Sequence, residues 1–374
     1  MIEDHLFNIL QTEIVPGNGF GMDGWDPARA TRCDQLFFSV IDALGETEVT
    51  ALDSQRARRI LSLLEVVMST AHRLADQAPH PVELCYQSAK GGAFLKDLAK
   101  AGDHPPRGSH ATQWVDTWAP DLITYTPMPQ ERIFATLTRS TSEVLTRLCD
   151  LGFALSDRHA QLGDPEVTEQ LLTSAAEIDQ LRLGFAQFSG SKTGSETGHD
   201  QPKWFLHFRQ YLAPLDIAGV CVLGPNPAFV ASWPAADILF GLADRHYLAD
   251  VRARYGGYLS EDIALLERAI AARPAPTVLQ QQAADCDGPA VRAYQRIVRA
   301  LQALSGRHWA AIEEHLVTPS QTEDSNAPLH QSLATKAGVS GRDLDKTWQL
   351  LASRRGDNPA RKAYAAWRKE TVHD

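Results

Sequence analysis

The sequence predicts a mainly α-helical protein, and three observations carry that prediction. Apolar residues recur at i, i+3, i+4 and i+7 over long stretches, while alternating strand-like runs between turn signals are almost absent. A hydrophobic content of 44% over 374 residues is also enough to fill a sizeable helical core. The first clear helix covers 54–76 (SQRARRILSLLEVVMSTAHRLAD), with Ile60, Leu63, Leu64, Val67, Met68 and Ala71 on one face. Residues 131–154 and 166–186 repeat the pattern, as do 260–272 and 291–316. The charge-free run Ile217 to Ala236 approaches membrane-spanning length, but Gly224, Pro225, Pro227 and Pro234 interrupt it. It reads as a buried segment with a turn inside. Two polar stretches, SGSKTGSETGHDQP at 189–202 and one at 318–342 that begins TPSQTEDSNAPLHQ, are expected to be mobile, lid-like loops.

Charge and cysteine usage exclude several classes. The net charge is −10 with Lys and Arg dispersed, so no nucleic-acid partner is expected. The one basic cluster, SRRGDNPARKAYAAWRK, reads as a solvated helical face. The N-terminal MIEDHLFNILQTE lacks the features of a secretory signal, and five scattered cysteines form no CxxC pair. A cytoplasmic monomer or homodimer with no membrane partner is the expectation. PGNGFGMDGW (16–25) faintly suggests a phosphate loop, but no strand precedes it and no Walker lysine follows.

The stretch ALSGRHWAAIEEHL (303–316) places two histidines on one helical stripe, through Tyr294, Val298, Leu301, Ser305, His308, Ile312 and His315. Seven residues rise about 10 Å, too far for His308 and His315 to share an ion. No Glu-x-x-His or His-x-carboxylate pair completes an iron site. At most one histidine binds a metal, and a heme needs only one axial imidazole and apolar walls. Ser305 and Gly306 would let a flat ring approach the helix. On periodicity alone, a core histidine hydrogen-bonded to a carbonyl is the favoured alternative.

Five segments in order resemble the indoleamine/tryptophan 2,3-dioxygenase heme superfamily, closest in look to indoleamine 2,3-dioxygenase and the pyrrolnitrin-pathway chlorotryptophan enzyme. AYQRIVRALQALSGRHWAAIEEHL (293–316) is similar to the proximal-histidine helix, which implies His308 as the heme b iron ligand. PKWFLHFRQYL (202–212) resembles the distal segment, implying Trp204 and Phe205 in the pocket and Arg209 on the substrate carboxylate. LGPNPAFVASWPAADILFG (223–241) resembles the loop over the distal face, implying heme contacts from Leu223, Gly224, Pro225 and Asn226 and a propionate-side network at Asp237. HPPRGSHATQWVDTW (104–118) is similar to a Pro-Pro…Trp segment, which puts His110, Gln113 and Trp114 near the substrate ring. KAGVSGRDL (336–344) resembles a Gly-Thr-Gly-Gly element, with Ser340 beside the position of its hydroxyl. The likeness covers roughly 104–355 and implies a helical heme domain over 121–374, with 1–120 as a smaller helical region contributing to the distal pocket.

The departures bear on the reaction. The arginine usual three residues before the proximal histidine is Ser305, with Arg307 as the substitute propionate contact, and Val339 stands at the threonine position. No His-x-x-x-Cys follows His308, which argues against covalent heme attachment. The resemblance thus implies an oxygenase acting on tryptophan or a related aromatic amino acid with dioxygen or peroxide, in secondary metabolism. A heme-dependent hydroxylase or rearrangement enzyme is the nearest alternative, and a non-catalytic heme sensor is one of a different class. His110 is the expected catalytic acid–base group, with a surface histidine as its bland counterpart. His207 and His315 are expected to be packing residues.

Overall fold

The computed structural model describes residues 2–19, 26–115, 122–189, 207–225, 230–272, 277–285 and 288–312. The protein is mainly helical. At its N-terminal side α1 (Ile2–Ile9) continues into a π-helical turn, Leu10–Ile14, and α2 (Pro27–Val49) kinks at Gly45, where φ is +59°. α3 (Ser54–Ala75) begins at Asp53, whose carboxylate caps the helix by accepting from the Arg56 amide at 2.8 Å. Every residue of α3 from Ile60 to Ala71 is buried, because α1, α2 and α4 (Ala89–Gly102) pack around it. That enclosure carries Ser62, Glu65, Ser69 and Thr70 into the interior, and Arg73 follows them, so all five need internal partners.

The second half is built on α5 (Pro129–Ser156) and α6 (Pro165–Ser189). A two-stranded hairpin follows, β1 (Leu215–Ile217) paired antiparallel with β2 (Val220–Val222). Ala218 and Gly219 both have positive φ, the signature of the type I′ turn that matches strand twist. Then come α7 (Ser232–Leu239), α8 (Arg245–Ala253), α9 (Ser260–Ala271), α10 (Val278–Asp285) and α11 (Pro289–Ile312). α5 packs on α6 and α7, and α11 lies along α6 as the most extensive helix pair among the described residues. Both halves feed one apolar cluster, from Leu6 to Leu304.

The helices expected at 54–76, 131–154, 166–186 and 260–272 appear as α3, α5, α6 and α9, with ends shifted by three residues or fewer. The start of the expected 291–316 helix appears in α11, described to Ile312. The run Ile217–Ala236 holds more than a buried turn: it spans part of the hairpin and the start of α7. α7 ends in a Schellman motif, with Leu242 donating to Asp237 O at 2.8 Å and Gly241 donating to Ile238 O at 3.2 Å. Gly241 has φ +77°, so the Asp237…Gly241 spacing has a local structural cause. Among the described residues no helix is long and apolar enough to cross a membrane. The expected loop at 189–202 begins on Ser189, the last residue of α6, and the rest of it, with 318–342 and the basic stretch near the C-terminus, lies outside the described residues.

Candidate functional site

His110 opens a π-helical turn, Ala111–Val115, that Ser109 caps by accepting from the Thr112 amide (3.3 Å) and, through its carbonyl, from the Gln113 amide (2.9 Å). The turn sends His110 and Trp114 inward, and both are fully buried. Their rings stack at 3.6 Å between centroids with 13° between planes. Phe208 lies nearly parallel to His110 at 6.3 Å, Tyr125 meets it edge-on at 6.4 Å, and Phe134 from α5 meets Trp114 edge-on at 5.7 Å. The result is an aromatic box assembled from three separate stretches of chain. Its polar rim is largely satisfied. The Trp114 indole donates to Ile123 O at 2.9 Å, Tyr125 Oη donates to Gln113 Oε1 at 3.0 Å, and Gln113 Nε2 donates to Ser62 O at 3.2 Å. Glu131, in the first turn of α5, fixes the Tyr125–Thr126 backbone by accepting from both amides at 2.7 and 2.8 Å.

His110 is the exception, since neither ring nitrogen has a hydrogen-bond partner among the described residues. Burial, and then the neighbouring Arg107 charge, hold its pKa well below the usual histidine value, so the ring is neutral at pH 7. Arg107 anchors the segment leading into the box. Its guanidinium donates twice to Glu65 at 2.8 Å, and also to Ala213 O at 2.6 Å, with both side chains 1% exposed or less. Behind Phe208, Arg73 donates to Tyr211 Oη at 2.7 Å and Gln210 Oε1 at 2.9 Å. His207 contacts Asn18 O at 3.0 Å, a packing role. Arg209 follows Phe208 directly and caps the 3₁₀ turn Gln210–Leu212; burial lowers its pKa to about 10, leaving it cationic at neutral pH.

The second centre is His308 on α11. It is half-buried, with Trp233 of α7 at 5.5 Å and Phe185 of α6 at 6.3 Å between ring centroids, tilted 44° and 53°. Ser305, one turn earlier, is fully buried, and Arg307 reaches back to donate to Ala186 O at 3.0 Å. Asp237 is buried and accepts from Tyr247 Oη at 2.9 Å. α5 links the two centres: it carries Phe134 of the box and, two turns on, Ser142, whose hydroxyl lies 3.3 Å from that of Ser232, the neighbour of Trp233. Eight helical residues correspond to about 12 Å along the axis.

Leu223, Gly224 and Pro225 stand elsewhere, lining a half-open cleft of about 340 Å³ with Pro105–Ser109 and Arg254. Gly224 is required there, because a Cβ would fall 1.8 Å from Leu212 O. Trp204, Phe205, Asn226, His315 and Ser340 lie outside the described residues. Sequence reasoning passed over Phe208, Tyr125, Phe134, Phe185, Trp233 and the Glu65–Arg107 pair. Phe208 and Trp233 sit inside the motifs quoted for the resemblance, so they were within reach. Arg107 also sits inside a quoted motif, whereas Phe134, Phe185 and Glu65 belong to long helices and Tyr125 to the loop before α5, with nothing local to distinguish them.

The chain matches no known protein-family model and no curated protein at a significant level. Among the described residues, no three His, Cys, Asp or Glu side chains are grouped to hold a metal ion. One imidazole walled by two aromatic rings, with a small buried residue one turn before it, suits a metal that arrives with its own planar ligand.

Proposed function

We propose that the protein is a heme-dependent oxygenase acting on an aromatic amino acid, related to the indoleamine/tryptophan 2,3-dioxygenase superfamily. One observation carries the reading. Described residues from segments that resemble that superfamily meet in space in two pairs, although they are far apart in sequence. His110 and Trp114 of the first segment lie against Phe208 of the second, and Trp233 of α7 lies against His308 of α11. His308 would hold heme b, with Ser305 and Gly306 giving the macrocycle room against α11. Heme would supply the activation of dioxygen or peroxide.

The protein's own residues divide the remaining work. Arg209, cationic and mostly desolvated, binds the substrate carboxylate with the planar fork that suits a bidentate contact. Trp114, Phe208, Phe134 and Tyr125 enclose the aromatic ring and exclude water. Holding the ring in one pose makes oxygen transfer effectively intramolecular. His110, neutral because it is buried, has a free nitrogen lone pair and so can accept a proton or orient the oxidant by hydrogen bonding.

Aerobic incubation of the reduced, heme-supplemented protein with tryptophan, substituted tryptophans and tyrosine, read by mass spectrometry, tests the reading. A gain of two oxygen atoms marks dioxygenation and a gain of one marks hydroxylation. His308→Ala is expected to abolish the Soret band, and unchanged heme content in that variant would refute the ligand assignment. Arg209→Leu is expected to spare heme and weaken amino-acid binding by about tenfold or more, the loss of a charged hydrogen-bond pair. A folded protein that stays colourless with ample heme would sink the proposal altogether.

A further inference from the structure

A half-open cleft of about 340 Å³ lies between the Pro105–Ser109 stretch, β2 and the turn that follows α8, and its size is that of a small-molecule site. None of the rings that meet His110 or His308 lines it. Arg107 and Arg254 line it and no acidic residue does, although the chain carries a net charge of −10. Pro106, Val222, Leu223 and Pro225 give it an apolar wall. The two arginines differ in what they have left to offer. Arg107 is committed, since its guanidinium serves Glu65, Ser69 and the carbonyls of Ala213 and Val222. Arg254 is 8% exposed and donates from Nε to Asp250 O at 3.2 Å and from Nη2 to the Asp250 carboxylate at 2.9 Å. Its Nη1 is shielded from solvent and has no partner among the described residues. Two N–H donors of a cation thus lack an acceptor at the wall of a cleft, which is rare in native proteins.

We infer that this cleft is a binding site for a small organic carboxylate with an apolar body. The carboxylate accepts from Arg254 Nη1, and the body lies against Pro106, Val222, Leu223 and Pro225. A ligand reaches Nη1 with a side-chain adjustment at the wall, a common accompaniment of binding. A carboxylate fits better than a phosphate. Asp250 already offsets part of the Arg254 charge and the Arg107 donors are spent, so nothing else on the wall would hold a second negative charge. Glycines at 256 and 257, directly after Arg254, leave that side of the cleft low and open. The inference is independent of the aromatic-amino-acid reading above, whose carboxylate contact is Arg209.

Calorimetric titration of the purified full chain with benzoate, set against benzamide, acetate and inorganic phosphate, tests it without relying on turnover. Benzoate is expected to bind about tenfold tighter or more than benzamide, which keeps the ring and loses the charge. It is also expected to bind more tightly than acetate, which keeps the charge and loses the apolar body. Arg254→Met should weaken benzoate about tenfold or more. Asp250→Asn keeps the guanidinium and removes the competing charge, so it should tighten benzoate. Cys221, exposed on the cleft wall, reports the location: bound benzoate should slow its alkylation by neutral iodoacetamide, read by peptide mass spectrometry. Equal affinity for benzoate and benzamide, phosphate bound as tightly as benzoate, or no saturable binding at all would overturn the inference. So would affinity that is lost with Arg209→Leu and kept with Arg254→Met, which would put the probe at the proposed substrate site. Each of these failures leaves the oxygenase reading standing.

Discussion

At the scale of single residues, the site is held by a few buried polar contacts whose worth differs sharply from that of surface ones. Glu65 and Arg107 form a bidentate pair with essentially no solvent contact, and Arg107 then pins the backbone of the segment that presents His110. Glu65→Ala would leave a buried guanidinium uncompensated, and the expected loss is about 3–5 kcal/mol of unfolding free energy. Arg296, paired with Asp179 across α11 and α6, is half-exposed, and Arg296→Ala should cost under about 1 kcal/mol. Urea unfolding midpoints of the two variants measure the contrast, and similar costs for both would show that the buried pair does not anchor the box. Little of this was legible beforehand. His110 and Trp114 stand out in a short Pro-Pro…Trp stretch, whereas Glu65 is one acidic residue in the apolar run of α3 and looks like any solvated helix position.

At the scale of elements, long helices were legible and short ones were not, for a physical reason. α3, α5 and α6 each run for more than twenty residues, long enough for the 3.6-residue period to emerge from noise. Strands β1 and β2 have three residues each, too few for an alternation to register, and their two-residue turn uses Ala218 where Asn or Asp would have been a signal. Glycine distribution is more informative once packing is known. Gly224 sits where the hairpin passes the 3₁₀ turn that follows Arg209, and a methyl group there would collide with Leu212 O. Gly224→Ala is therefore expected to force the hairpin away from that turn at a cost of about 1–3 kcal/mol, and to loosen amino-acid binding through Arg209. Gly256 lines the same cleft, and a methyl group added there would meet nothing within 4 Å, so Gly256→Ala should stay within about 0.5 kcal/mol. Thermal denaturation of both variants, run side by side, checks the claim; equal stability would mean that the hairpin adapts freely.

At the scale of the whole molecule, the class was legible but the meeting of its parts was not. His110 and His308 lie almost two hundred residues apart, and the packing of α5 against both the box and α7 relates them. Burial on that scale also bears on the response to pH, because ionisable groups of both kinds are buried or half-buried. Burial holds His104 down to about 4 and pushes Asp262, in the first turn of α9, up to about 7. His104 binds its proton less readily when folded, so its contribution is fully present above about 6.5 and is lost as pH falls toward 4. Asp262 binds its proton more readily when folded, so its contribution is fully present below about 3.8 and is lost as pH rises through 7. Between pH 4 and 6.5 the two oppose each other, each at up to about 1.4 kcal/mol per pH unit. Glu131, buried in the first turn of α5 and raised to about 7, adds to the Asp262 side of this balance, so each variant is read against the unmodified protein. Asp262→Asn is expected to make stability rise more steeply with pH across that window than in the unmodified protein, and His104→Asn to make it fall relative to the unmodified protein. Urea unfolding at half-unit steps from pH 4 to 6.5 reads both slopes, and a change of the same sign in the two variants would show that these buried groups do not set the pH response.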